Sequence, residues 1–575
     1  MTKVFDRPQD FAATALSGFC AAHAGRVRPI ASGALRAAPG AAGKVALVVG
    51  GGSGHYPAFL GYVGPGMADA AVAGDVFASP STSAVTGVAR AAQRGGGVIL
   101  GFGNYAGDVL NFGAAAERLR AEGIDARILA VTDDVASARA DERGRRRGVA
   151  GDLLVFKMVG AAAEAGMDLD AVMAVAARAN AATLSFGVAF DGCTLPGQGA
   201  PLFTVAPGDV ALGLGIHGEP GISSQPMQTA AELARLLLQP LLAERPAGHA
   251  GKVAAVLNGL GRTKYEELYV LWHHLSALLA EAGLQVIEPE VGEFVTSLDM
   301  AGCSLSLTWL DDELEALWRA PADSPAFRKG HVAPQASDAA VIPLSQPAAA
   351  PLVQGSPAAQ RAGRCIAGLM RQLAEALAGA EEELGRIDAQ AGDGDHGQGM
   401  ARGSEAAAQA AAAAAQAGAG AGTVLALAGD AWADRAGGTS GALWGVALRA
   451  WGQVLTDQEA PSAQTVASGA EAALAAVVRL GGAQPGDKTL VDALVPFART
   501  LAARVAAGDS LPGAWDRAAV AATEAAEATA QLSPRLGRAR PLAERSLGHP
   551  DAGAISLALC ARTVGAAIQH DSQPA

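Results

Sequence analysis

The stretch Lys44-Val-Ala-Leu-Val-Val-Gly-Gly-Gly-Ser-Gly-His55 is an apolar, strand-like run that ends abruptly in glycine. Two further apolar runs also end in glycine, GVILGFGNYAGD from Gly97 and KVAAVLNGLG from Lys252, and a third, ARILAVTDDV from Ala126, ends in polar residues. Short apolar runs that alternate with helical segments are typical of an α/β domain with a largely parallel sheet. Ligands bind to such a domain where its strands end in loops. We therefore predict an α/β domain in the first half of the chain.

A second set of strand-like runs begins near residue 183, with TLSFGVAFDGC. It continues through GDVALGLGIHGEPG and FVTSLDMAGCSLSLTWL. This change predicts a second α/β subdomain. Residues 1–332 are therefore predicted to form one domain, with subdomains at about 1–182 and 183–332.

The remainder of the chain has a different composition. Residues 333–356 are rich in Pro, Ala and Ser without a helical or strand period, which predicts a linker. Residues 357–575 are rich in alanine and other helix formers, which predicts an all-α domain. The alanine-rich run between Glu405 and Ala417 is also compatible with a disordered spacer.

Composition argues against two classes of partner. The 575 residues carry a formal net charge of −13, which disfavours electrostatic binding of nucleic acid. A short basic run, Arg143 with Arg145 to Arg147, is interpreted as a solvated loop. The N-terminal MTKVFDRPQD lacks a signal-peptide pattern, and no stretch of about eighteen residues is apolar without charge or glycine-rich interruption. We therefore expect a cytoplasmic protein without a nucleic-acid or membrane partner.

The loop Gly213-Leu-Gly-Ile-His-Gly-Glu-Pro-Gly221 places His217 among four glycines and a proline. Glycine permits positive φ and close approach, so a histidine in this loop is accessible and is positioned by the backbone. Such a histidine suits a ligand or a nucleophile. A turn with a merely solvated histidine is the alternative.

The glycine-rich turn that ends at His55 fits neither common nucleotide-binding motif. The dinucleotide pattern GxGxxG fails because His55 occupies its third glycine position, and no Walker A pattern can be placed around Gly43-Lys44. The turn instead predicts a cradle of backbone amides for a small polar ligand, with His55 at its edge. The residues of this cradle are Gly52, Ser53 and Gly54.

A second glycine-flanked turn, Gly103 to Asp108, places a carboxylate after another strand-like run. Strand-end loops of a parallel sheet converge on one edge, so His55 and Asp108 are predicted to share a site with His217. These groups form either a metal-binding set or a site for a small polyhydroxy substrate. A histidine nucleophile with a His/Asp acid–base pair would be complete in the second case.

The segment Ile387-Asp-Ala-Gln-Ala-Gly-Asp-Gly-Asp-His-Gly397 carries the densest acidic motif of the chain. Its carboxylates, Asp388, Asp393 and Asp395, would repel one another unless a hard cation lay between them. Mg²⁺ with phosphate oxygens is the expected guest, and a surface turn is the alternative. Downstream, Gly437-Gly-Thr-Ser-Gly441 offers hydroxyls at a predicted helix N-terminus, which is a typical phosphate site. These motifs predict a nucleotide–Mg²⁺ site without a P-loop.

The order of these motifs resembles that of the fused, ATP-dependent dihydroxyacetone kinase family along nearly the whole chain. GGGSGH, GNYAGDVLNF, GIHGEPG and TSLDMAG resemble the sugar-binding domain of that family. GDGDHG, GGTSGALWG and ERSLGH resemble its helical nucleotide-binding domain. The resemblance implies an α/β ketose domain in two subdomains, an eight-helix barrel that holds ATP with two Mg²⁺ ions, and a homodimer.

The resemblance also implies roles for individual residues. His217 would attack the substrate ketone to form a covalent hemiaminal, Asp108 would act as general base on the terminal hydroxyl, and His55 would hydrogen-bond the substrate. Arg545 would stabilise charge in the transition state. The implied substrate-binding set is Gly52, Ser53, Gly54, His55, Asp108 and His217. The implied Mg²⁺ ligands are Asp388, Asp393 and Asp395. The implied nucleotide-binding set is His396, Gly438, Thr439, Ser440, Gly441, Thr489, Arg545, Asp551 and Gly553.

Two departures from the family pattern bear on the substrate. Tyr56 replaces the usual acidic residue, and Gly103 replaces the usual lysine. The substrate is therefore expected to be dihydroxyacetone or a four-carbon ketose such as erythrulose. Two alternative functions stay open: a ketose-sensing co-regulator or phosphotransferase-relay component, and an FAD-AMP lyase that forms cyclic FMN. The acidic GDGDHG motif disfavours a pure sensor, which has no need of metal ligands.

Overall fold

The computed structural model describes residues 2–219, 221–249, 251–332, 352, 354–390, 392, 394–536 and 543–570. The chain divides into two compact units, one built almost wholly from residues up to 344 and the other from residue 345 onward. The predicted linker lies almost entirely outside the described residues, and the predicted domain boundaries stay predictions.

The first sheet of the α/β unit has six strands in the order β1-β2-β4-β3-β5-β6. Its strands are β1 (Val27–Ile30), β2 (Gly33–Arg36), β3 (Ala46–Ser53), β4 (Ala70–Val76), β5 (Val98–Gly103) and β6 (Ala126–Val131). The four strands from β3 to β6 are parallel, and β1 and β2 are antiparallel additions at one edge. The parallel core places the loops after β3 and β5 side by side, which positions His55 and Asp108 at the same edge.

The second sheet is largely antiparallel, with the order β11-β10-β13-β7-β8-β9 and β12 beside β10. Its strands are β7 (Thr183–Asp191), β8 (Asp209–Leu212), β9 (Ser223–Pro226), β10 (Lys252–Gly259), β11 (Gln285–Val286), β12 (Glu290–Gly292) and β13 (Ala301–Trp309). The stretch KVAAVLNGLG, predicted to be like the parallel runs, forms β10, which pairs parallel with β11 and β12 and antiparallel with β13. A strand buried on both faces is continuously apolar in either arrangement, so its sequence does not reveal its direction.

Among the described residues of this unit, eight α-helices and a short ribbon accompany the two sheets. The ribbon consists of β14 (Ala322–Asp323) and β15 (Arg328–Lys329). The helices are α1 (Phe11–Ala22), α2 (Thr82–Ala92), α3 (Ala106–Ala121), α4 (Gly151–Glu164), α5 (Leu169–Ala182), α6 (Ala230–Ala243), α7 (Tyr265–Glu281) and α8 (Asp312–Arg319). Helix α4 is buried along nearly all of its length and packs against strands of both sheets. A helix that is apolar all round suits this central place, and it joins the two sheets into one core.

The second unit is entirely helical in its described part. Its helices are α9 (Pro357–Gly379), α10 (Glu381–Asp388), α11 (His396–Gln416), α12 (Ala421–Ala436), α13 (Gly438–Leu455), α14 (Ala463–Gly481), α15 (Val491–Ala506), α16 (Leu511–Ala528), α17 (Ala543–Ser546) and α18 (Ala552–His570). The long helices pack in sequence order, and α18 packs against α9, so that the ring closes. The prediction of an eight-helix barrel is confirmed, with α10 and α17 as short additions.

The alanine-rich run lies in α11 and is not a spacer. Buried alanines such as Ala407 and Ala411 present a small surface, which lets neighbouring helices approach closely. The segment Ala552–Gln569 of α18 is long and apolar enough by composition to cross a membrane. It also belongs to the packed ring, against α9, α15 and α16.

The prediction of a solvated basic loop is wrong for two of its arginines. Arg146 is fully buried and pairs with Glu244 at 2.7 Å. Arg147 is largely buried and pairs with Asp134 at 2.7 Å. Acidic partners distant in sequence compensate these charges, and a local run of basic residues gives no sign of them.

Candidate active site

The glycine-rich turn after β3 brings the backbone close to Phe77. A Cβ atom at Gly52 would lie 2.8 Å from the amide nitrogen of Ala78. Gly54 has a φ of +101°, and a Cβ atom there would lie 2.8 Å from the ring of Phe77. Only glycine fits these two positions, and the turn that they permit ends at His55, which is 3% exposed.

His55 and His217 form one hydrogen-bonded chain with Glu219. The Nδ1 atom of His55 lies 2.8 Å from the carbonyl oxygen of Thr296, which can only accept, so this nitrogen carries the proton. The Nε2 atom of neutral His55 must then accept from the Nε2 atom of His217, 2.9 Å away. The Nδ1 atom of His217 donates to Glu219 Oε1 at 2.9 Å. In this arrangement the two ring nitrogens of His217 face His55 on one side and the Glu219 carboxylate on the other.

Burial and neighbouring charges act in opposite directions on the ionisation of Glu219 in this hydrogen-bonded chain. Burial opposes ionisation of Glu219, but the charges of His217 and Arg147 outweigh it and hold the pKa of this carboxyl well below its usual range. An Arg147 nitrogen lies 3.8 Å from the Glu219 carboxylate. The backbone N–H of His217 also donates to Glu219, at 2.6 Å. Glu219 is thus fixed as an anion that orients the His217 ring through its contact with Nδ1.

Acid is expected to destabilise the folded protein through His55. Burial first, then the charge of His217, lowers the pKa of His55 from 6.5 to about 3, so the folded state keeps neutral a ring that the unfolded chain protonates. The free energy of unfolding therefore falls as the pH drops below the pKa of this histidine in the unfolded chain. The loss is about 2 kcal/mol near pH 5 and levels off near the pKa of the folded state. Urea titrations of wild type and His55→Asn at neutral pH and near pH 5 measure this contribution. An identical pH dependence in the two proteins would contradict it.

Aromatic rings enclose the two histidines. Phe77 stacks on His55 with ring centroids 5.0 Å apart, and its edge-on contact with His217 has a centroid distance of 5.1 Å. Tyr105 meets His217 edge-on at 4.7 Å. Asp108 is 8% exposed and lies in the first turn of α3, three residues after Tyr105. The two histidines therefore lie among aromatic rings, and Asp108 follows Tyr105 in the chain as a buried carboxyl group.

The alternative of a metal-binding set formed by His55, Asp108 and His217 finds no support. Within the described part of the chain, no group of three or more His, Cys, Asp or Glu side chains is placed to hold a metal ion. The facing nitrogens of the two histidines are hydrogen-bonded to each other instead.

The predicted nucleotide site gathers helix termini at one end of the helical ring. Asp388 ends α10 and accepts from the backbone N–H of Gly394 at 2.9 Å, and Asp395 is the N-cap residue of α11. His396 bonds to Ser556 at 3.0 Å and lies 3.4 Å from the hydroxyl of Ser440. Burial lowers the pKa of His396, and the charges of Asp388 and Asp395 act in the opposite direction. Asp393 lies outside the described residues.

The glycine turn before α13 leaves space at a helix N-terminus. Gly437 and Gly438 both have positive φ, and a Cβ atom on either would meet no atom within 4 Å. Thr439 and Ser440 occupy the first turn of α13. Gly441 faces α12 at close range, since its Cβ atom would lie 3.2 Å from the carbonyl oxygen of Ala433. Open amides, hydroxyls and the helix dipole here suit a phosphate group.

Asp551 caps α18 by accepting from Ala554 N at 2.7 Å. Burial, with the carboxylates of Asp492 and Asp388, raises the pKa of Asp551 from 3.8 to about 7. Asp492 also accepts from the backbone N–H of Thr489 at 2.8 Å, which links the α15 terminus to this group.

Two other predicted nucleotide residues are placed less centrally. Gly553 packs beside the Asp551 carboxyl, with 3.1 Å between its Cβ position and Asp551 Oδ1. Arg545 is exposed on α17, and no contact that the structure describes joins it to the aspartates.

Comparison with known proteins places this geometry in a family. Residues 17–326 match the Dak1 domain model and residues 390–566 match the DAK2 domain model. The L-erythrulose kinase of Pectobacterium atrosepticum is 56% identical, over 100% of this chain and 97% of that protein. The D-erythrulose kinase of Mycolicibacterium smegmatis is also 56% identical, over 100% of both chains. The human triokinase/FMN cyclase is 33% identical, over 92% of each chain.

A solved structure agrees with these sequence matches. The crystal structure of the dihydroxyacetone kinase from C. freundii in complex with AMP-PNP and Mg²⁺ is 30% identical, with a TM-score of 0.53. The match covers 98% of this chain and 99% of that chain. The chain belongs to the dihydroxyacetone kinase family. The resemblance predicted from the motifs is thus confirmed, as is the dihydroxyacetone kinase fold of an α/β domain with a helical domain.

Several pocket residues of this dihydroxyacetone kinase family member escaped sequence reasoning. Glu219 and Tyr105 lie inside the quoted loops, at two and three residues from His217 and Asp108, and their polar or aromatic character was the available signal. Thr296 opens the quoted TSLDMAG stretch, but its part in the site is played by its backbone carbonyl, and Phe77 lies outside every quoted stretch. Their roles depend on how the loops fold together.

Proposed function

We propose that the protein is an ATP-dependent kinase that transfers the γ-phosphoryl group to a terminal hydroxyl of a short ketose. The substrate is dihydroxyacetone or a four-carbon ketose such as erythrulose, as the names of the most similar relatives suggest. The observation that carries this proposal is the His55–His217–Glu219 chain, because it orients the His217 ring among aromatic side chains and links it to a base on one side and a carboxylate on the other. We further propose that it acts as a cytoplasmic homodimer.

His217 captures the ketone as a hemiaminal. Its Nε2 proton passes to the Nε2 atom of His55, and the freed lone pair attacks the carbonyl carbon. The C–N bond forms as the π electrons move to oxygen, which takes the proton back from His55. The product imidazolium keeps its Nδ1 proton and its positive charge, so Glu219 neutralises the ring before and after capture. Glycerol has no carbonyl group and cannot form this bond.

The remaining pocket residues orient the captured ketose for transfer. The backbone amides of Gly52, Ser53 and Gly54 cradle the substrate, while the Ser53 hydroxyl is engaged with Gly74 O at 2.6 Å. Asp108 accepts the proton of the terminal hydroxyl as general base. The aromatic walls exclude water, which protects the phosphoryl group from hydrolysis.

The helical unit fits a nucleotide with divalent cations. Burial first, then the nearby carboxylates of Asp492 and Asp388, raises the pKa of Asp551, and bound Mg²⁺ would neutralise the negative charge of this group. Asp388, Asp393 and Asp395 would hold two Mg²⁺ ions. The nucleotide would be held by His396, Gly438, Thr439, Ser440, Gly441, Thr489, Arg545, Asp551 and Gly553. When bound, ATP with Mg²⁺ supplies the activated phosphoryl group and neutralises its charge.

A substrate panel tests the proposed reaction. Initial rates with Mg²⁺-ATP over dihydroxyacetone, D-erythrulose, L-erythrulose, glyceraldehyde and glycerol give kcat/KM for each. The kcat/KM for a ketose is expected to exceed that for glycerol by about 10²-fold or more, since glycerol has no carbonyl group with which to form the covalent bond. If an erythrulose exceeds dihydroxyacetone, Tyr56 and Gly103 become the positions to exchange next. Absence of phosphorylation of every ketose would overturn the proposed function.

A second activity is favoured by the name of one relative. The human protein is called triokinase/FMN cyclase and matches 92% of this chain. Cleavage of FAD to cyclic FMN in the presence of Mn²⁺ would use the helical unit alone, and an assay for cyclic FMN decides whether this protein shares it. A co-regulator without catalysis is disfavoured, because it would not need the carboxylates of the helical unit.

A further inference from the structure

Two polar atoms beside the pocket are buried without a partner. The Oη atom of Tyr105 and the Oδ1 atom of Asp152 are shielded from solvent, and neither has a hydrogen-bond partner among the residues that the structure describes. A buried polar atom left unpaired costs free energy, so native proteins provide such atoms with water or with a ligand. These two atoms therefore indicate where a polar group binds.

Both residues lie at the edge of the first sheet where the site is built. Tyr105 is the N-cap residue of α3, and its ring contacts His217. Asp152 is 2% exposed in the first turn of α4. Two glycines border its carboxyl group: a Cβ atom at Gly103 would lie 3.4 Å from Oδ2, and one at Gly148 would lie 3.0 Å from Oδ1. The absence of side chains at these glycines lets their backbones pack closely beside the carboxyl group, where a Cβ atom at Gly148 would also collide with Gly103 Cα.

The two groups interact with each other and with the catalytic residues. Burial first, then the charge of Glu219 and, more weakly, that of Asp152, raises the pKa of Tyr105. Burial, with the carboxylates of Asp133 and Asp108, raises the pKa of Asp152 well above its usual range. A carboxyl group of this kind retains a proton to higher pH than usual, so it can donate as well as accept a hydrogen bond.

We propose that Tyr105 and Asp152 together bind one non-reacting hydroxyl of the ketose, next to its carbonyl, and thereby determine specificity for polyhydroxy ketones. This inference rests on the proposed capture of the ketose at His217. An alcohol hydroxyl both donates and accepts, so one group satisfies both buried atoms. Tyr105 contacts the ring that binds the carbonyl carbon, and a hydroxyl one carbon away is within reach of a side chain in that position.

The test compares each ketose with an analogue that lacks this hydroxyl. Hydroxyacetone replaces dihydroxyacetone, and the corresponding deoxy four-carbon ketone replaces erythrulose. The measured quantity is the ratio of kcat/KM between ketose and analogue in wild type, Tyr105→Phe and Asp152→Asn. Wild type is expected to prefer the ketose by about 10²-fold or more, because the analogue leaves two buried groups unpaired. Each variant is expected to lower this preference by about tenfold, mainly because kcat/KM for the ketose falls.

Tyr62→Phe is the matched control. Tyr62 is also buried in this unit, but its hydroxyl donates to Phe294 O at 2.7 Å, so its removal is expected to lower stability without changing the preference. An equal loss on ketose and analogue in Tyr105→Phe would overturn the proposal, because it would indicate a packing role against His217. A wild type that does not discriminate would overturn it as well, whatever the variants do, and would mean that water alone fills the site. If no ketose is phosphorylated, the proposed function itself fails.

Discussion

Replacement of His217 by alanine is expected to abolish the covalent adduct and to lower kcat/KM for ketoses by two to four orders of magnitude. The variant loses the nucleophile and leaves His55 and Glu219 without their shared partner. Its selectivity should fall along with its rate, because a non-covalent site distinguishes ketone from alcohol only weakly. Rates on dihydroxyacetone, erythrulose and glycerol measure both effects.

The control for this variant is His273→Ala, which removes an exposed histidine from α7 and should leave the kinetics unchanged. An unchanged ratio of ketone to glycerol rates in His217→Ala would refute capture of the carbonyl. An equal fall in rate on ketoses and on glycerol gives such an unchanged ratio. It would indicate that the substitution disturbs the whole pocket.

Replacement of Asp395 by alanine is expected to lower kcat with Mg²⁺-ATP by about 10³-fold, because a lost metal ligand removes several kcal/mol of charge stabilisation. Ketose binding, measured by calorimetry without nucleotide, should be preserved, since the adduct forms in the other unit. Asp516→Ala removes an exposed carboxylate from α16 of the same unit and serves as the control. Retention of turnover at saturating Mg²⁺ in Asp395→Ala would refute the metal assignment.

Sequence reasoning succeeded where local pattern determines structure. Short apolar runs predicted β3, β5 and β6, and the alanine-rich composition predicted the ring of helices. It failed where distant segments decide the outcome. The antiparallel direction of β10 and the burial of Arg146 depend on partners far away in the chain.

The site shows the same division between local and distant information. His55 and His217 were predicted to meet, and their facing nitrogens are 2.9 Å apart. The proton arrangement, however, depends on the carbonyl of Thr296 and on Glu219, which define what His55 accepts and what His217 donates. The spacing of the motifs does not predict this hydrogen-bonded chain, because its members lie on loops of both sheets. Phe77 and Asp152 were missed for the same reason.

Carbon-13 NMR of a ketose labelled at its carbonyl carbon tests the central claim most directly. The labelled ketose is mixed with an equimolar amount of the full-length protein, without nucleotide, and the same sample is prepared with His217→Ala. With wild type, the ketone resonance is expected to give way to that of a tetrahedral carbon bonded to oxygen and nitrogen, and with the variant it should persist. Persistence of the ketone resonance in wild type, at concentrations where calorimetry shows binding, would contradict capture of the substrate on His217.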